Sequence, residues 1–215
     1  RMNKPCIVAI QGLALGGGME FALACHYRVA EPFARFGQPE INLRLLPGYG
    51  GTQRLPRLLP DRGGQPGLTR ALEMILGGRN IEADAALAFG AIDVVAGGPD
   101  DVLSLAHAAV REFIRDEKGS ALGRAFAERR DAMQRWEEAG EADLDAAVDD
   151  AFVQRIFKQL EWAGRDAAGA RAMDAIRTGW SDGISAGLKR EAQAFAEAII
   201  DPDGGKTGIR LFMDK

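Results

Sequence analysis

Lys4 to Leu55 reads KPCIVAIQGLALGGGMEFALACHYRVAEPFARFGQPEINLRLLPGYGGTQRL, and a triple glycine divides strand-like from helix-like chemistry within it. Cys6 to Gly12 is a short apolar run with β-branched Ile7, Val8 and Ile10, bounded by Pro5 and Gly12. That pattern predicts a buried strand. After Leu13-Ala14-Leu15, the glycines Gly16, Gly17 and Gly18 lead into MEFALACH, which favours helix. A strand, a glycine turn and a helix leave free backbone N–H groups at a positive helix end. Such an end accepts a phosphate, a carboxylate or a developing enolate oxygen, and glycine lets it come close to the backbone. Glu20 falls in the first turn of this helix, where a carboxylate also simply suits the helix dipole. Glu40 follows a strand-like ARFGQ and Pro39, in a loop where a solvated charge is the ordinary reading. Taken together, the two glutamates are a candidate acid/base pair beside a candidate oxyanion donor.

Three strings follow one another from Lys4 to Leu59 with little gapping: KPCIVAIQGLALGGGMEFALACHYRVA, FGQPEINL and LPGYGGTQRLPRLL. In that order they resemble the enoyl-CoA hydratase/isomerase (crotonase) family. The likeness continues more loosely through ALEMILGGRNIEADAALAFGAIDVVA and returns at the C-terminal helices. It implies a crotonase-type (ClpP/crotonase) α/β fold of repeated ββα units, followed by a helical C-terminal region. On this reading residues 1–100 form the core portion and residues 101–215 the helical one. The chain opens on Arg1 and enters the motif almost at once. The resemblance therefore implies that the N-terminal part of the fold is missing, with its other oxyanion donor and adenine-contacting loop. A half-built sheet would leave a strand edge exposed.

Residue by residue, the resemblance assigns Gly17 as the N–H donor to a thioester oxygen, and Glu20 and Glu40 as the two catalytic carboxyls. Gly48, in LPGYGG, matches the glycine whose N–H helps hold the reacting water. Two carboxyls around one water suit addition across a double bond conjugated to a thioester. One takes a proton from the water as oxygen attacks Cβ, and the other gives one to Cα, while N–H groups stabilise the enolate. The implied activity is hydration of a 2-enoyl-CoA thioester or its reverse, with no cofactor, coenzyme A being part of the substrate. Retention of both glutamates favours hydration over double-bond isomerisation, which typically needs one. Isomerisation, and hydrolytic or C–C cleavage of a CoA thioester, stand as alternatives; a non-catalytic or truncated subunit is another.

Two positions depart from the family pattern. Arg44 stands where glycine is usual and offers a cation that could pair with Glu40 and lower its pKa. Tyr49 replaces a smaller residue, either narrowing the pocket or packing against it. At the C-terminus, LKREAQAFAEAIIDPDGGKTGIRLFMDK is similar to closing helices that in relatives lie over a neighbouring subunit's site. By that likeness Phe212 falls near the adenine and Lys215 near the CoA ribose phosphate. The apolar face Leu188, Ala192, Phe195, Ala196 and Ile199 then implies a homo-oligomer, a trimer or dimer of trimers.

Past Val95 the organisation shifts. Leu103 to Ile114 reads as an amphipathic helix ended at Gly119. Residues 120–166 are rich in Ala, Arg, Asp and Glu, with Leu122, Phe126, Met133 and Trp136 on one helical face. Leu144, Val148, Ala151 and Phe152 suggest a second helix. The segment reads as an inserted helical pair that packs, assembles or shapes an acyl pocket.

Composition sets the remaining bounds. With 27 Lys plus Arg against 31 Asp plus Glu, the net charge is −4, which offers no clustered basic face for nucleic acid. No apolar run approaches the ~20 residues of a membrane span. Cys6 and Cys25 read as free thiols in a reducing cytoplasm, and His26 and His107 lack metal-ligand spacing.

Overall fold

The computed structural model describes residues 4–61, 66–135, 141–163 and 165–214. The β-branched run forms strand β1 (Ile7–Ile10), one residue shorter at its start and two at its end than the run from Cys6 to Gly12. Gly12 then turns the chain at φ 71°, its N–H donating to Glu31 Oε1 at 2.6 Å. That turn, which a side chain would strain, sends Leu13–Leu15 into a second strand, β2. Three residues are too few to show a strand's alternation, so the sequence pattern assigns them no element. Helix α1 (Gly17–Ala24) follows, then β3 (Tyr27–Ala30), β4 (Arg35–Gly37), a 3-10 helix at Pro39–Leu43 and α2 (Gly51–Leu58).

Each ββα unit thus sends its first strand to one sheet and its second to another. β1 and β3 pair in parallel from Ile7 opposite Tyr27 to Ile10 opposite Ala30. β2 and β4 pair in parallel from Leu13 opposite Arg35 to Leu15 opposite Gly37. The short β5 (Ile81–Glu82) lies antiparallel to β4, and β6 (Val94–Val95) parallel to β3. The sheet orders are therefore β1-β3-β6 and β2-β4-β5, with β1 and β2 at edges. Leu13 on the β2 edge is largely exposed. Helices α3 (Gly67–Gly77) and α4 (Ala83–Phe89) complete the core portion. Met19, Phe36, Ile41, Leu46, Leu55, Leu72, Ile75 and Leu76 form its buried centre.

From residue 101 onward the described elements are all helical: α5 (Asp101–Arg115), α6 (Ala121–Arg135), α7 (Glu141–Val148), α8 (Ala151–Trp162), α9 (Asp166–Ser181), α10 (Ile184–Ile200) and α11 (Gly205–Met213). The segment read as a helical pair is three helices, because the chain bends at Asp149-Asp150 between α7 and α8. Ser120 caps α6, its Oγ accepting from Gly123 N–H at 3.0 Å. Phe126 meets the His26 ring edge-on at 4.6 Å, and Arg129 Nε donates to His26 O at 2.8 Å. Leu122 is buried; Trp136 and the Met133 side chain lie outside the described residues. Leu144, Val153, Ile156 and Leu160 join the main core, so this segment packs on its own chain. The Phe152 side chain lies outside the described set.

One polar tie matters for the site. Gln53, fully buried on α2, donates through Nε2 to Ala175 O of α9 at 2.8 Å. Arg57, one turn on, donates to Gly179 O at 2.6 Å. Burying these groups is tolerable because they are hydrogen-bonded, and the bonds fix α2 and the turn before it to the helical region.

Candidate active site

Gly16 precedes α1 at φ 53°, ψ −124°, and its N–H donates to Gly37 O at 2.9 Å. The second strands of the two units therefore meet where the helix begins. Gly17 is the first helical residue, so its N–H has no acceptor within the helix. A Cβ at Gly17 would meet nothing within 4 Å, so the helix end opens onto free space.

Glu20 is only 2% exposed and faces inward rather than along the helix surface. Its Oε1 accepts from Tyr49 N–H at 2.8 Å and Gly51 N–H at 2.6 Å. Burial raises its pKa, while those two N–H groups and the Arg54 charge pull the other way. Glu40 sits in the 3-10 helix, not in a free loop. Its Oε1 lies over Gly16, 2.6 Å from where a Cβ there would stand. Burial pushes its pKa up to about 7, with further raising by the charges of Glu20 and Glu191.

Fully buried Gln38 lies beside Glu40. Its amide nitrogen faces Glu40, at 3.3 Å from Oε1 and 3.2 Å from Oε2. The same amide lies beside Gly51, whose Cβ position would also crowd Glu20 Oε1. Gly17, Glu20 and Glu40 are thus brought to one place, at the head of α1. Gly48 is half-buried in the same turn, with the Phe195 ring 2.7 Å from where its Cβ would stand.

The expectation for Arg44 is corrected. Arg44 does not pair with Glu40: its Nη1 donates to Asp203 O at 2.8 Å, and Glu40's pKa is raised, not lowered. Arg44 has φ 58°, a left-handed conformation that explains why glycine is usual there. The Tyr49 side chain is 71% exposed, while its N–H donates to Glu20. Phe212 on α11 is 64% exposed. Lys215 lies outside the described residues. Helix α11 does press on the Glu40 segment, since Gly208 has no room for a Cβ beside Leu43 O.

Glu191 went unread in the sequence, though it is 1% exposed. It accepts from Gly50 N–H at 2.5 Å, Thr52 N–H at 2.9 Å and Thr52 Oγ1 at 2.5 Å. The buried face of α10 is Gly187, Glu191, Ala194 and Ala198, with Phe195 and Ile199 half-buried beside it. Ala192 and Ala196, expected on the apolar face, are exposed. The available signal was a glutamate three and four residues from small residues on one helical stripe.

A separate hollow of about 220 Å³ lies between α3, α4 and α8, lined by Met74, Ile81, Phe89 and Ile156; it does not include Glu20 or Glu40. Among the described residues no group of three His, Cys, Asp or Glu could hold a metal ion. Nor is any helix among them long and apolar enough to cross a membrane. Cys6 and Cys25 are free thiols with Sγ atoms 3.7 Å apart.

Residues 1–155 match the family model described as enoyl-CoA hydratase/isomerase. The chain belongs to that family. Its sequence is 33% identical over 98% of its length to a glyoxysomal fatty acid beta-oxidation multifunctional protein of Cucumis sativus. It is 34% identical over 99% of its length to a peroxisomal counterpart from Arabidopsis thaliana. Each alignment covers 26% of the relative, so the chain spans about a quarter of these curated proteins. Among solved structures, a carnitinyl-CoA hydratase from Mycobacterium avium superposes with a TM-score of 0.62 at 27% identity. That likeness covers the whole chain and 61% of the Mycobacterium avium protein. A carnitinyl-CoA dehydratase from Mycobacterium avium 104 gives a TM-score of 0.52 at 28% identity, over 93% of this chain and 62% of its own. The crotonase-type fold is the one these family members share.

Proposed function

We propose that this protein adds water to a 2-enoyl-CoA thioester, or removes it in reverse. The observation that carries this reading is the unequal environment of Glu20 and Glu40 beside one open helix end. Burial raises the pKa of Glu20 as well, but two backbone N–H groups and the Arg54 charge oppose that rise, which suits a base. Glu40, pushed up to about 7, can hold a proton at neutral pH and suits an acid. Glu20 takes a proton from water as its oxygen bonds to Cβ, and the double-bond electrons move toward the thioester oxygen. Gly17 N–H stabilises that oxygen. As the enolate collapses, Glu40 gives its proton to Cα, and exchange with solvent resets both carboxyls. The reading draws on no metal or redox group; coenzyme A arrives as part of the substrate.

Assembly belongs to the same proposal. Ile209, Leu211, Phe212 and Met213 leave α11 with an exposed apolar surface, which supports a homo-oligomer, a trimer or dimer of trimers. Phe212 and Lys215 near coenzyme A, and Gly48 near the reacting water, remain part of this proposal. Its free thiols support a reducing cytoplasm, whereas the plant relatives are named glyoxysomal and peroxisomal. Subcellular fractionation decides between the two.

Glu20→Gln and Glu40→Gln in the full-length protein test the chemistry. Each is expected to lower kcat for a 2-enoyl-CoA by at least the ~10²-fold typical of general acid/base groups. CoA-thioester binding should be nearly retained. Wild-type rates in either variant sink the reading. A loss confined to Glu40→Gln moves it to double-bond isomerisation, and binding without turnover by the wild type moves it to a non-catalytic subunit.

A further inference from the structure

Four successive N–H groups at the head of α2 are dealt alternately to two buried carboxylates. Tyr49 and Gly51 donate to Glu20; Gly50 and Thr52 donate to Glu191. Glu20 comes from α1 and Glu191 from α10, so the turn is gripped from two sides by elements far apart in sequence. We propose that Glu191 is a positioning residue for Glu20, acting through the backbone of Tyr49–Thr52. This rests on the hydratase reading of Glu20.

The argument is one of satisfied groups. The N–H groups of a helix's first turn have no intrahelical acceptor, and at Gly50, Gly51 and Thr52 they are also buried. A buried N–H left unpaired is costly, so the turn settles where all four find oxygen. With Glu191 in place, two are held and the other two, at Tyr49 and Gly51, point at Glu20. Without it, Gly50 and Thr52 must find another acceptor, and the carboxylate already at the turn is Glu20. Either the turn rotates or Glu20 moves, and in both cases the base leaves its place over the open end of α1. The simpler reading makes Glu191 only a bolt between α10 and α2, contributing to stability alone. That role predicts no selective effect on the two N–H groups Glu191 never touches.

The test uses Glu191→Ala, Glu191→Gln and the milder Thr52→Val, which keeps the Thr52 N–H bond to Glu191 and removes the hydroxyl, with its bond to Glu191 and the one it accepts from Gln53 Nε2. Amide hydrogen exchange is followed at Tyr49 and Gly51, with Val29 and Phe36 as reporters of the sheets. Glu191→Ala is expected to deprotect Tyr49 and Gly51 while the sheet amides hold. Its kcat for a 2-enoyl-CoA should fall by about 10- to 100-fold, the range for a misplaced reacting group, with KM changed less than about threefold. Glu191→Gln and Thr52→Val should give smaller changes of the same kind. Wild-type protection at Tyr49 and Gly51 with wild-type kcat in Glu191→Ala overturns the proposal. If that variant fails to fold, the same result in both milder variants overturns it. Should the wild-type protein hydrate nothing, the hydratase reading fails alone, and the exchange pattern still decides whether Glu191 positions Glu20.

Discussion

Glu40 Oε1 occupies the space a side chain on Gly16 would fill, 2.6 Å from that missing Cβ. Gly16 also holds φ 53°, ψ −124°, a conformation that L side chains rarely adopt. The glycine before the helix therefore serves the acid as much as the turn. Gly16→Ala is expected to displace Glu40 and lower kcat about 10²-fold, the scale of an ångström-sized misplacement. The backbone strain adds roughly 1–3 kcal/mol of instability. Thermal unfolding and steady-state kinetics check both; a stable, fully active alanine variant contradicts the placement of Glu40.

The raised pKa of Glu40 gives stability a pH dependence of definite sign. Its ordinary value is 4.5 and its folded value about 7, so the folded state binds this proton more tightly than the unfolded. The contribution is fully present below pH ~4.5 and is lost as pH rises through ~7. The span corresponds to roughly 3 kcal/mol at most, by the usual conversion of pKa shifts. Upward shifts at Glu20 and Glu191 act in the same direction. Denaturant midpoints between pH 5 and 8 should fall with pH in the wild type and fall less in Glu40→Gln. Equal slopes would show that Glu40 is not the group responsible.

The legible parts of the chain were those whose side chains carry the signal. Ile7, Val8 and Ile10 announced β1, and the order of glycines and glutamates announced the site. Leu13-Ala14-Leu15 did not announce β2, because three residues establish no period and Gly12's switch between sheets is a backbone event. Val148, Ala151 and Phe152 read as one helix because the bend at Asp149-Asp150 contains neither glycine nor proline. Glu191 stayed hidden for a related reason. Its partners at Gly50 and Thr52 include backbone N–H groups, which any residue but proline supplies.

Asp93 tests how the helical region is joined to the strands. Arg28 is fully buried on β3, and its Nη2 donates to Asp93 Oδ2 at 2.6 Å; Arg129 from α6 approaches Asp93 Oδ1 at 3.3 Å. Asp93→Asn leaves the buried guanidinium without its counter-charge and should cost about 3–5 kcal/mol, the usual penalty for breaking a buried pair. Arg129→Ala keeps the Arg28–Asp93 pair and should cost only about 1 kcal/mol, the scale of an ordinary hydrogen bond. Urea unfolding measures both. Equal losses would mean that docking of α6, not the buried charge, dominates.

Arg44 separates the backbone explanation of a family glycine from the electrostatic one. At φ 58° its left-handed conformation costs roughly 1–2 kcal/mol for an L residue. Its exposed bond to Asp203 O returns about 0.5–1.5 kcal/mol. Arg44→Gly relieves the first and forfeits the second, so unfolding free energy should stay within about 1 kcal/mol of wild type. Since the guanidinium reaches Asp203 rather than Glu40, the variant should keep both kcat and the pH at which Glu40 titrates. Carboxyl carbon NMR of Glu40 in the two proteins is the direct measurement. A rise of Glu40's pKa in the glycine variant would show that Arg44 had been holding it down after all, and would return Arg44 to the site.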